Sequence, residues 1–217
     1  MDTPTNNPWT DTPDISSRIV SAISRIGSVL RSGMWEFATA ENLNPAQAEI
    51  LQLLAARPEG VRLSWVARQL SISTASASDS VTTLVSKGLV HKARAADDGR
   101  ASNLHLTAAG QDMAQRIAGA SGFAGEAVAA LPPAAQEQLL SGLLQVIGQL
   151  QKGERFPEMR ACLSCKHFQP DRHKGTDTPH HCGLVNAPIP VKLLRLDCPD
   201  HEPADPVALH KNWQAFA

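Results

Sequence analysis

Hydrophobic residues in the first two thirds of the chain recur at the spacing of amphipathic helices. In 15–39 they stand three, four or seven residues apart, which predicts one long helix. This apolar stripe consists of Ile15, Ile19, Ile23, Ile26, Leu30 and Phe37. Asn44 and Pro45 then supply a helix cap and a proline at the first helical position. They predict a second helix that ends at the Arg57-Pro58-Glu59-Gly60 turn.

The stretch after this turn predicts two short helices joined by a tight turn. The first covers 64–70 and the second covers 74–87, where Gly88 ends it. In the second helix we expect three apolar side chains to face inward: Val81, Leu84 and Val85.

A β-hairpin is predicted over 89–106, because two short strand-like segments flank the turn-forming residues Asp97-Asp98-Gly99. Two more helices follow, one capped by Thr107 that runs to Leu131 and one opened by Pro132-Pro133. The predicted fold class is therefore mainly α with a small β-hairpin. The apolar faces of the first and last helices exceed the needs of a compact core, so we expect a homodimer. The alternative is that these helices close a larger core within one monomer.

Charge and hydropathy narrow the class of protein. The 217 residues contain 20 Lys and Arg against 21 Asp and Glu, so bulk charge does not favour nucleic acid. One segment differs from this overall balance: residues 61–105 contain six basic and three acidic residues, a net charge of +3, which favours nucleic acid locally. No apolar run is long enough to cross a bilayer, and the N-terminus is polar and acidic where a signal peptide needs positive and apolar regions. We expect a soluble cytoplasmic protein.

The predicted short helix pair has the form of a DNA-binding unit, because the major groove admits one helix. Small and hydroxyl-bearing residues of its second helix would meet bases and phosphates: Thr74, Ala75, Ser76, Ser78, Asp79 and Thr82. Basic residues around it would contact phosphates: Arg62, Arg68, Lys87, Lys92 and Arg94. Arg100, at the hairpin tip, would enter the neighbouring minor groove.

Residues 44–110 resemble the winged helix of the MarR family of bacterial transcriptional regulators. The resemblance rests on NPAQAEILQLLAARPEG, on LSWVARQLSISTASASDSVTTLVSKGLVHKARAADDGRA and on LHLTAAG, in that order. Asp98, Arg100 and LTAAG are its most specific marks, and it extends over about 15–152.

The resemblance implies several properties that the residues alone do not. It implies a dimer formed by the N- and C-terminal helices, a recognition helix at 74–87 and a wing arginine at Arg100. It also implies a small-molecule effector in a cleft between the dimer helices and the winged helix, where Trp35, Phe37 and Trp65 are possible lining. One departure is that 71–86 contains no Lys or Arg, so the bidentate guanine contact of an arginine is missing.

The last part of the chain has a different chemistry. All four cysteines lie there, as Cys162-x2-Cys165-x16-Cys182-x15-Cys198, together with six of the eight histidines and eight of the fifteen prolines. We expect an irregular extension without a large core of its own, held together by a bound group. The predicted organisation is a disordered arm at 1–14, a winged-helix and dimerisation domain at 15–153 with its helix-turn-helix and wing at about 61–106, and the extension at 154–217.

Four clustered cysteines in a cytosolic chain point to a metal before a disulfide. The Cys-x-x-Cys pair and the Cys198-Pro199 element favour an iron–sulfur cluster. Structural zinc is the alternative, with a nearby histidine able to replace one sulfur, and redox thiols without metal remain a third interpretation. The candidate histidines are His167, His173, His180, His181 and His201.

Together these features predict a homodimeric regulator, a repressor, that binds a palindromic operator with half-sites about one helical turn apart. Its DNA binding would respond to redox, oxygen or iron status through the four-cysteine centre. One alternative is a regulator with a purely structural zinc tail that responds to a small ligand. A metal-dependent redox enzyme is disfavoured, because four cysteine ligands leave no open metal position and no catalytic motif is visible. A protein–protein adaptor that docks through the extension is the third class.

Overall fold

The computed structural model describes residues 11–94, 102–120, 122–153 and 157–216. Up to residue 153 the described part is built from helices and one hairpin. These elements are α1 (Ile15–Ala40), α2 (Pro45–Ala55), α3 (Leu63–Gln69), α4 (Thr74–Ser86), β1 (Val90–Arg94), β2 (Ser102–Leu106), α5 (Ala108–Ala120), α6 (Gly122–Ala129) and α7 (Pro133–Lys152). This architecture confirms the predicted mainly α fold with a small hairpin. The predicted hairpin turn, 97–99, and most of the predicted N-terminal arm lie outside the described residues.

Local capping explains where these helices begin and end. Asn44 forms a capping box with Gln47, so the first turn of α2 has its free N–H groups satisfied. The Ser73 hydroxyl accepts from the Ser76 N–H at 3.1 Å and starts α4. Gly88 has a φ of 69°, a left-handed conformation that ends this helix and turns the chain into β1.

The hairpin is antiparallel, with Val90 opposite Leu106 and Arg94 opposite Ser102. A third segment, which the sequence pattern did not predict, joins its open edge. Val61 and Leu104 exchange both backbone hydrogen bonds, at 3.2 and 2.8 Å. The turn between α2 and α3 is thereby fixed to the strand that leads out of the wing.

The first core lies between α1, α2, α4, α5 and the hairpin. Its largest fully buried side chains are Ile50, Leu51, Leu54, Val66, Val81, Leu84, Val90, Leu104 and Ile117. Val81 and Leu84 face inward as predicted, but the prediction for Val85 was wrong, because 38% of its surface is exposed. Val85 is one residue past Leu84, which turns it about 100° away from the core. The single helix predicted from Thr107 to Leu131 is two elements, α5 and α6.

The C-terminal extension contains more regular structure than its composition indicated. Its elements are a 3-10 turn (Cys162–Ser164), β3 (Phe168–Gln169), β4 (His180–Cys182), β5 (Ala187–Ile189), a second 3-10 turn (Val191–Leu193) and α8 (Pro206–Ala215). The three strands form one antiparallel sheet in the order β3-β4-β5. Asp205 caps α8 and Pro206 occupies its first turn, a start signal that the sequence analysis missed.

The extension shares a second core with α7. This core contains Leu144, Leu163, Phe168, Leu194, Trp213 and Phe216, all nine-tenths or more buried. Asn212 supports it from α8 by donating to the carbonyls of Leu163 and Cys165, at 3.2 and 3.4 Å. The extension therefore buries apolar surface against the last long helix instead of standing alone.

Candidate nucleic-acid interface and cysteine site

Helix α4 presents the polar face that the sequence predicted. Thr74, Ala75, Ser76, Asp79 and Thr82 are exposed and Ser78 is half-buried, whereas Ala77, Val81 and Leu84 hold the opposite face in the core. The exposed set begins at the helix N-terminus, where free N–H groups and the helix dipole favour an anion such as a phosphate. Hydroxyls, the Ala75 methyl group and the Asp79 carboxylate are therefore the groups that this helix offers to a partner.

The basic residues predicted to contact phosphates have unequal surroundings. Arg94 is exposed at the end of β1, and Arg62 is half-buried at the start of α3. The Lys87 ammonium contacts the Asn42 carbonyl in the α1–α2 turn, so part of its hydrogen-bonding capacity is used within the fold. Arg100, the predicted minor-groove contact, lies outside the described residues.

The three aromatic residues considered as effector lining have separate surroundings. Trp35 is 60% exposed on α1. Phe37 packs on the first core, and the guanidinium carbon of Arg116 lies 5.7 Å from the centre of its ring. Trp65 lies against Arg57, with the guanidinium carbon 5.2 Å from the ring centre. The three rings therefore differ in exposure and in their neighbours.

The four cysteines converge on one small cavity of about 40 Å³. Cys162 and Cys165 lie on either side of a tight turn, in which the Cys165 N–H donates to the Cys162 carbonyl at 3.0 Å. Cys182 ends β4 opposite Phe168, and Cys198 is held by its N–H, which donates to the Arg160 carbonyl at 2.9 Å. All four are free thiols.

The surroundings of these thiols are mainly apolar. Phe168, Leu184 and Ile189 line the cavity together with His167 and Asp200. The backbone N–H of Arg195 donates to the Cys162 sulfur at 3.3 Å, and the guanidinium of the same residue is 3.7 Å from the Cys198 sulfur. In the described residues, however, no three or more His, Cys, Asp or Glu side chains are arranged as a metal-binding group.

Burial raises the pKa of the Cys162 thiol above its ordinary value, and negative charge on Cys198, Cys165 or Cys182 raises it further. The Arg195 N–H acts in the opposite direction, because it stabilises the thiolate. Four thiolates in this space would repel one another, so their joint ionisation needs a cation among them.

The candidate histidines of the extension have hydrogen-bond partners other than the cysteines. His167 Nε2 lies 2.8 Å from the Glu202 carboxylate, and His173 Nε2 lies 3.1 Å from His181 Nδ1. His201 Nε2 lies 3.0 Å from the Ser164 hydroxyl, and burial lowers the His201 pKa. Burial also lowers the pKa of His180. Only His167 of this group lines the thiol cavity in the described structure.

A junction between the extension and the winged-helix part was not predicted. Arg57, in the turn that follows α2, forms an ion pair with Asp197, the residue before Cys198. Arg160 donates to the Glu59 carboxylate at 2.6 Å, and Gln69 of α3 donates to the Glu158 carbonyl at 3.3 Å. No local periodicity marks these pairs, although Asp197 stands directly beside a cysteine in the sequence.

Comparison with known proteins finds a family match within the winged-helix part. Residues 41–101 match the MarR family. No curated protein matches the chain in sequence. In the part of the chain that the structure describes, no helix is both long and apolar enough to cross a membrane.

Solved structures share the fold at low sequence identity. A MarR-family transcriptional regulator from Rhodococcus sp. RHA1 is 19% identical, with a TM-score of 0.51 over 62% of this chain and 97% of that one. CouR from Rhodococcus jostii RHA1, bound to p-coumaroyl-CoA, is 20% identical, with a TM-score of 0.53 over 62% and 95%. A complex of S. aureus MepR with DNA is 19% identical, with a TM-score of 0.52 over 60% and 94%. Each neighbour is covered almost completely, while more than a third of this chain lies outside each match.

Proposed function

We propose that this chain, which carries a MarR-family domain in the fold of MarR-family transcriptional regulators, binds a specific DNA operator and regulates transcription. The observation that carries the proposal is the exposed, capped start of α4, with its small and hydroxyl side chains on one face. S. aureus MepR, which has the same fold, has been solved in complex with DNA. No part of this proposal requires catalysis.

The operator contact of this protein depends on shape and hydroxyl groups more than on guanidinium groups. Because the described α4 has no Lys or Arg, its base contacts come from Ser and Thr hydroxyls and from the Ala75 methyl group. Arg62, Arg94 and Arg100 contribute phosphate or minor-groove contacts around it. Such an interface gains much of its affinity from phosphates, so affinity falls steeply with salt.

We also propose that the protein acts as a homodimer through α1 and α7. Both helices expose apolar side chains: Ile15, Ile19, Val20, Ile23, Ile26 and Val29 on α1, and Leu139, Leu143, Val146 and Leu150 on α7. At about 100° per residue, the four on α7 fall within about 60° of the helix circumference. Leu140, Leu144 and Gly148 lie on a neighbouring face that is covered by the extension. A second copy, related by two-fold symmetry, would cover the free face and match a palindromic operator.

Selection from random duplex DNA with the full chain, followed by footprinting, tests the DNA proposal. We expect a protected site with two-fold symmetry and half-sites about one helical turn apart. Binding without sequence preference, or a footprint that lacks symmetry, would contradict it.

We further propose that the four cysteines hold a metal ion and that its presence controls operator affinity. Supporting this are the common cavity, its apolar walls and the backbone N–H that donates to the Cys162 sulfur. A cavity of about 40 Å³ has space for one to three water molecules, whereas an iron–sulfur cluster brings at least four inorganic atoms. We therefore favour a single zinc ion over the cluster that the cysteine pattern alone favoured.

The route from this site to DNA runs through the junction with α2 and α3. Asp197 holds Arg57, and Arg57 in turn packs on Trp65 of α3, the first helix of the helix-turn-helix pair. Arg160, whose carbonyl binds the Cys198 N–H, holds Glu59 in the α2–α3 turn. Without a metal, the loop that carries Cys198 would lack this anchor, and these contacts would loosen with it.

Metal analysis of the purified full chain tests this part. We expect one zinc per chain, and we expect Cys182→Ser to lose the zinc and to weaken operator binding at least tenfold. His173→Gln is the matched control, because His173 contacts His181 in the same extension without lining the cysteine cavity. Two or more irons per chain with visible absorption would show a cluster instead. Unchanged metal content and DNA affinity in Cys182→Ser would contradict the metal proposal altogether.

A further inference from the structure

A cavity of about 320 Å³ lies at the junction between the winged-helix part and the extension. Helices α2 and α3 form one side of it, and the segments around Met159 and Leu196 form the other. It shares no lining residue with the thiol cavity, and none of its described lining residues belongs to α1, α5 or α7. It is therefore distinct from the effector cleft beside the dimer helices that the family resemblance implies. Its volume suffices for a small ligand, since small-molecule sites in proteins begin at about 300 Å³.

One face of α2 lines this cavity instead of the first core. It consists of Glu49, Gln52 and Leu53, which fall within about 100° of the helix circumference. Leu53 is half-buried and does not belong to the first core. Across the cavity, Met159 is half-buried and Leu196 is 42% exposed. The extension therefore approaches α2 but leaves apolar surface uncovered between them.

The charges of the lining are unbalanced. It contains three carboxylates, those of Glu49, Glu158 and Asp197, but only one guanidinium, that of Arg57. Arg57 is paired with Asp197, which leaves the other two carboxylates without a cation in the lining. Glu49 is half-buried, and its carboxylate has no ion pair or hydrogen bond with any residue that the structure describes. A carboxylate that has lost part of its hydration is stabilised by a cation beside it.

We propose that this cavity binds a small amphiphilic cation, in which an apolar body carries one ammonium group. The body would lie against Leu53, Leu70 and Met159, and the ammonium group near the carboxylates of Glu49 and Glu158. An anion of the same size would be repelled by these carboxylates, and a neutral molecule would leave them without a cation.

A ligand in this cavity would contact the junction between the extension and the helix-turn-helix pair. The Arg57–Asp197 ion pair and Gln69 of α3 both belong to the lining. The binding itself does not depend on the proposed function. Only a resulting change in operator affinity would rest on it, and the two are measured separately.

Isothermal titration calorimetry of the full chain with hexyltrimethylammonium tests the proposal. This cation joins a short apolar chain to a permanent positive charge, and hexanesulfonate joins the same chain to a negative charge. We expect saturable binding of one cation per chain, at least tenfold tighter than that of hexanesulfonate at equal ionic strength. Equal affinities for the two ions, or no saturable binding of the cation, would overturn the proposal.

Matched variants locate the bound cation. Glu49→Gln should weaken its binding at least fivefold, whereas Glu126→Gln, the same change at an exposed position of α6, should leave it unchanged. Leu53→Trp should fill the cavity and weaken binding at least tenfold. Val207→Trp, at a side chain that is 79% exposed, is its control.

The proposal is overturned if Glu49→Gln binds the cation as tightly as Glu126→Gln does. Because glutamine keeps the size of the side chain, this comparison holds even if Leu53→Trp fails to fold. Cation binding that leaves operator affinity unchanged would support the site and remove only its regulatory role.

Discussion

Gly110 and Gly119 stand in the same helix, α5, and show how one residue type serves two different roles. A Cβ atom on Gly110 would stand 1.9 Å from the Leu89 carbonyl oxygen, so the helix approaches the hairpin backbone more closely than any side chain permits. Thr107 completes this contact, because its hydroxyl donates to the Gly88 carbonyl and accepts the Gly110 N–H, at 2.6 and 3.0 Å. The LTAAG segment is thereby explained by packing. Gly119 is exposed, with nothing within 4 Å of its Cβ position.

Opposite effects on stability should follow from the same substitution at these two glycines. Gly110→Ala must push α5 away from β1, and we expect a loss of about 3 kcal/mol or more in the free energy of unfolding. Gly119→Ala should stabilise the protein by about 0.5–1 kcal/mol, because alanine has the better helix propensity. Urea denaturation measures both changes. Equal effects of the two variants would show that the close approach at Gly110 is not present in solution.

A single exposed residue at the start of α4 should separate stability from DNA binding. Ala75→Glu places a carboxylate in the first helical turn, where the helix dipole favours it, so stability should stay constant or rise slightly. The same carboxylate would face the phosphates, and we expect operator affinity to fall at least tenfold. Ala134→Glu, in the first turn of α7, is the control and should keep full affinity. A mobility-shift titration compares the operator affinity of both variants with that of the wild type.

Among the elements, α7 has two apolar faces in different surroundings. One face packs on the extension through Leu144 and Ile147, and a neighbouring face exposes Leu143 and Val146. The extension in turn contacts the α2–α3 turn through the ion pairs of Arg57 and Glu59, and α3 through a hydrogen bond of Gln69. The loop that contains Asp197 and Cys198 is therefore linked to the DNA-binding helices, and the second core is linked to the proposed dimer helix.

Breaking the junction should uncouple the cysteine site from DNA without emptying it. The double variant Glu59→Gln with Asp197→Asn removes the carboxylate partners of Arg160 and Arg57. Both carboxylates are more than two-fifths exposed, so we expect stability to change by only about 1 kcal/mol. We expect metal content to remain as in wild type, while chelation of the metal no longer alters operator affinity. Lys166→Gln, which breaks an ion pair inside the extension, should leave the response to chelation intact.

At the scale of the whole molecule, the exposed apolar face of α7 predicts that the chain forms a dimer. Leu143→Glu places a charge in the apolar strip, so we expect sedimentation equilibrium to show a monomer and operator affinity to fall at least tenfold. Gln138→Glu adds the same charge to an exposed polar position of α7 and should remain dimeric. A Leu143→Glu protein that sediments as a dimer would place the interface elsewhere.

The sequence by itself determined the local elements. Apolar spacing, caps and glycine stops specify α1, α2, α4 and the hairpin, because these signals act over a few residues. The exposed polar face of α4 follows from the same spacing. Apolar spacing gave the wrong orientation for Val85, since the width of the buried face depends on what packs against the helix.

Only the tertiary structure decided which distant groups meet. The ion pair of Arg57 with Asp197 spans 140 positions, and the seat of Trp213 on Gly148 depends on how α8 lies across α7. The sequence pattern also predicted an irregular extension, because a ten-residue helix and strands of two or three residues gain little stability from local signals. They form here against α7, where burial of apolar surface supplies the stability that their own sequences lack.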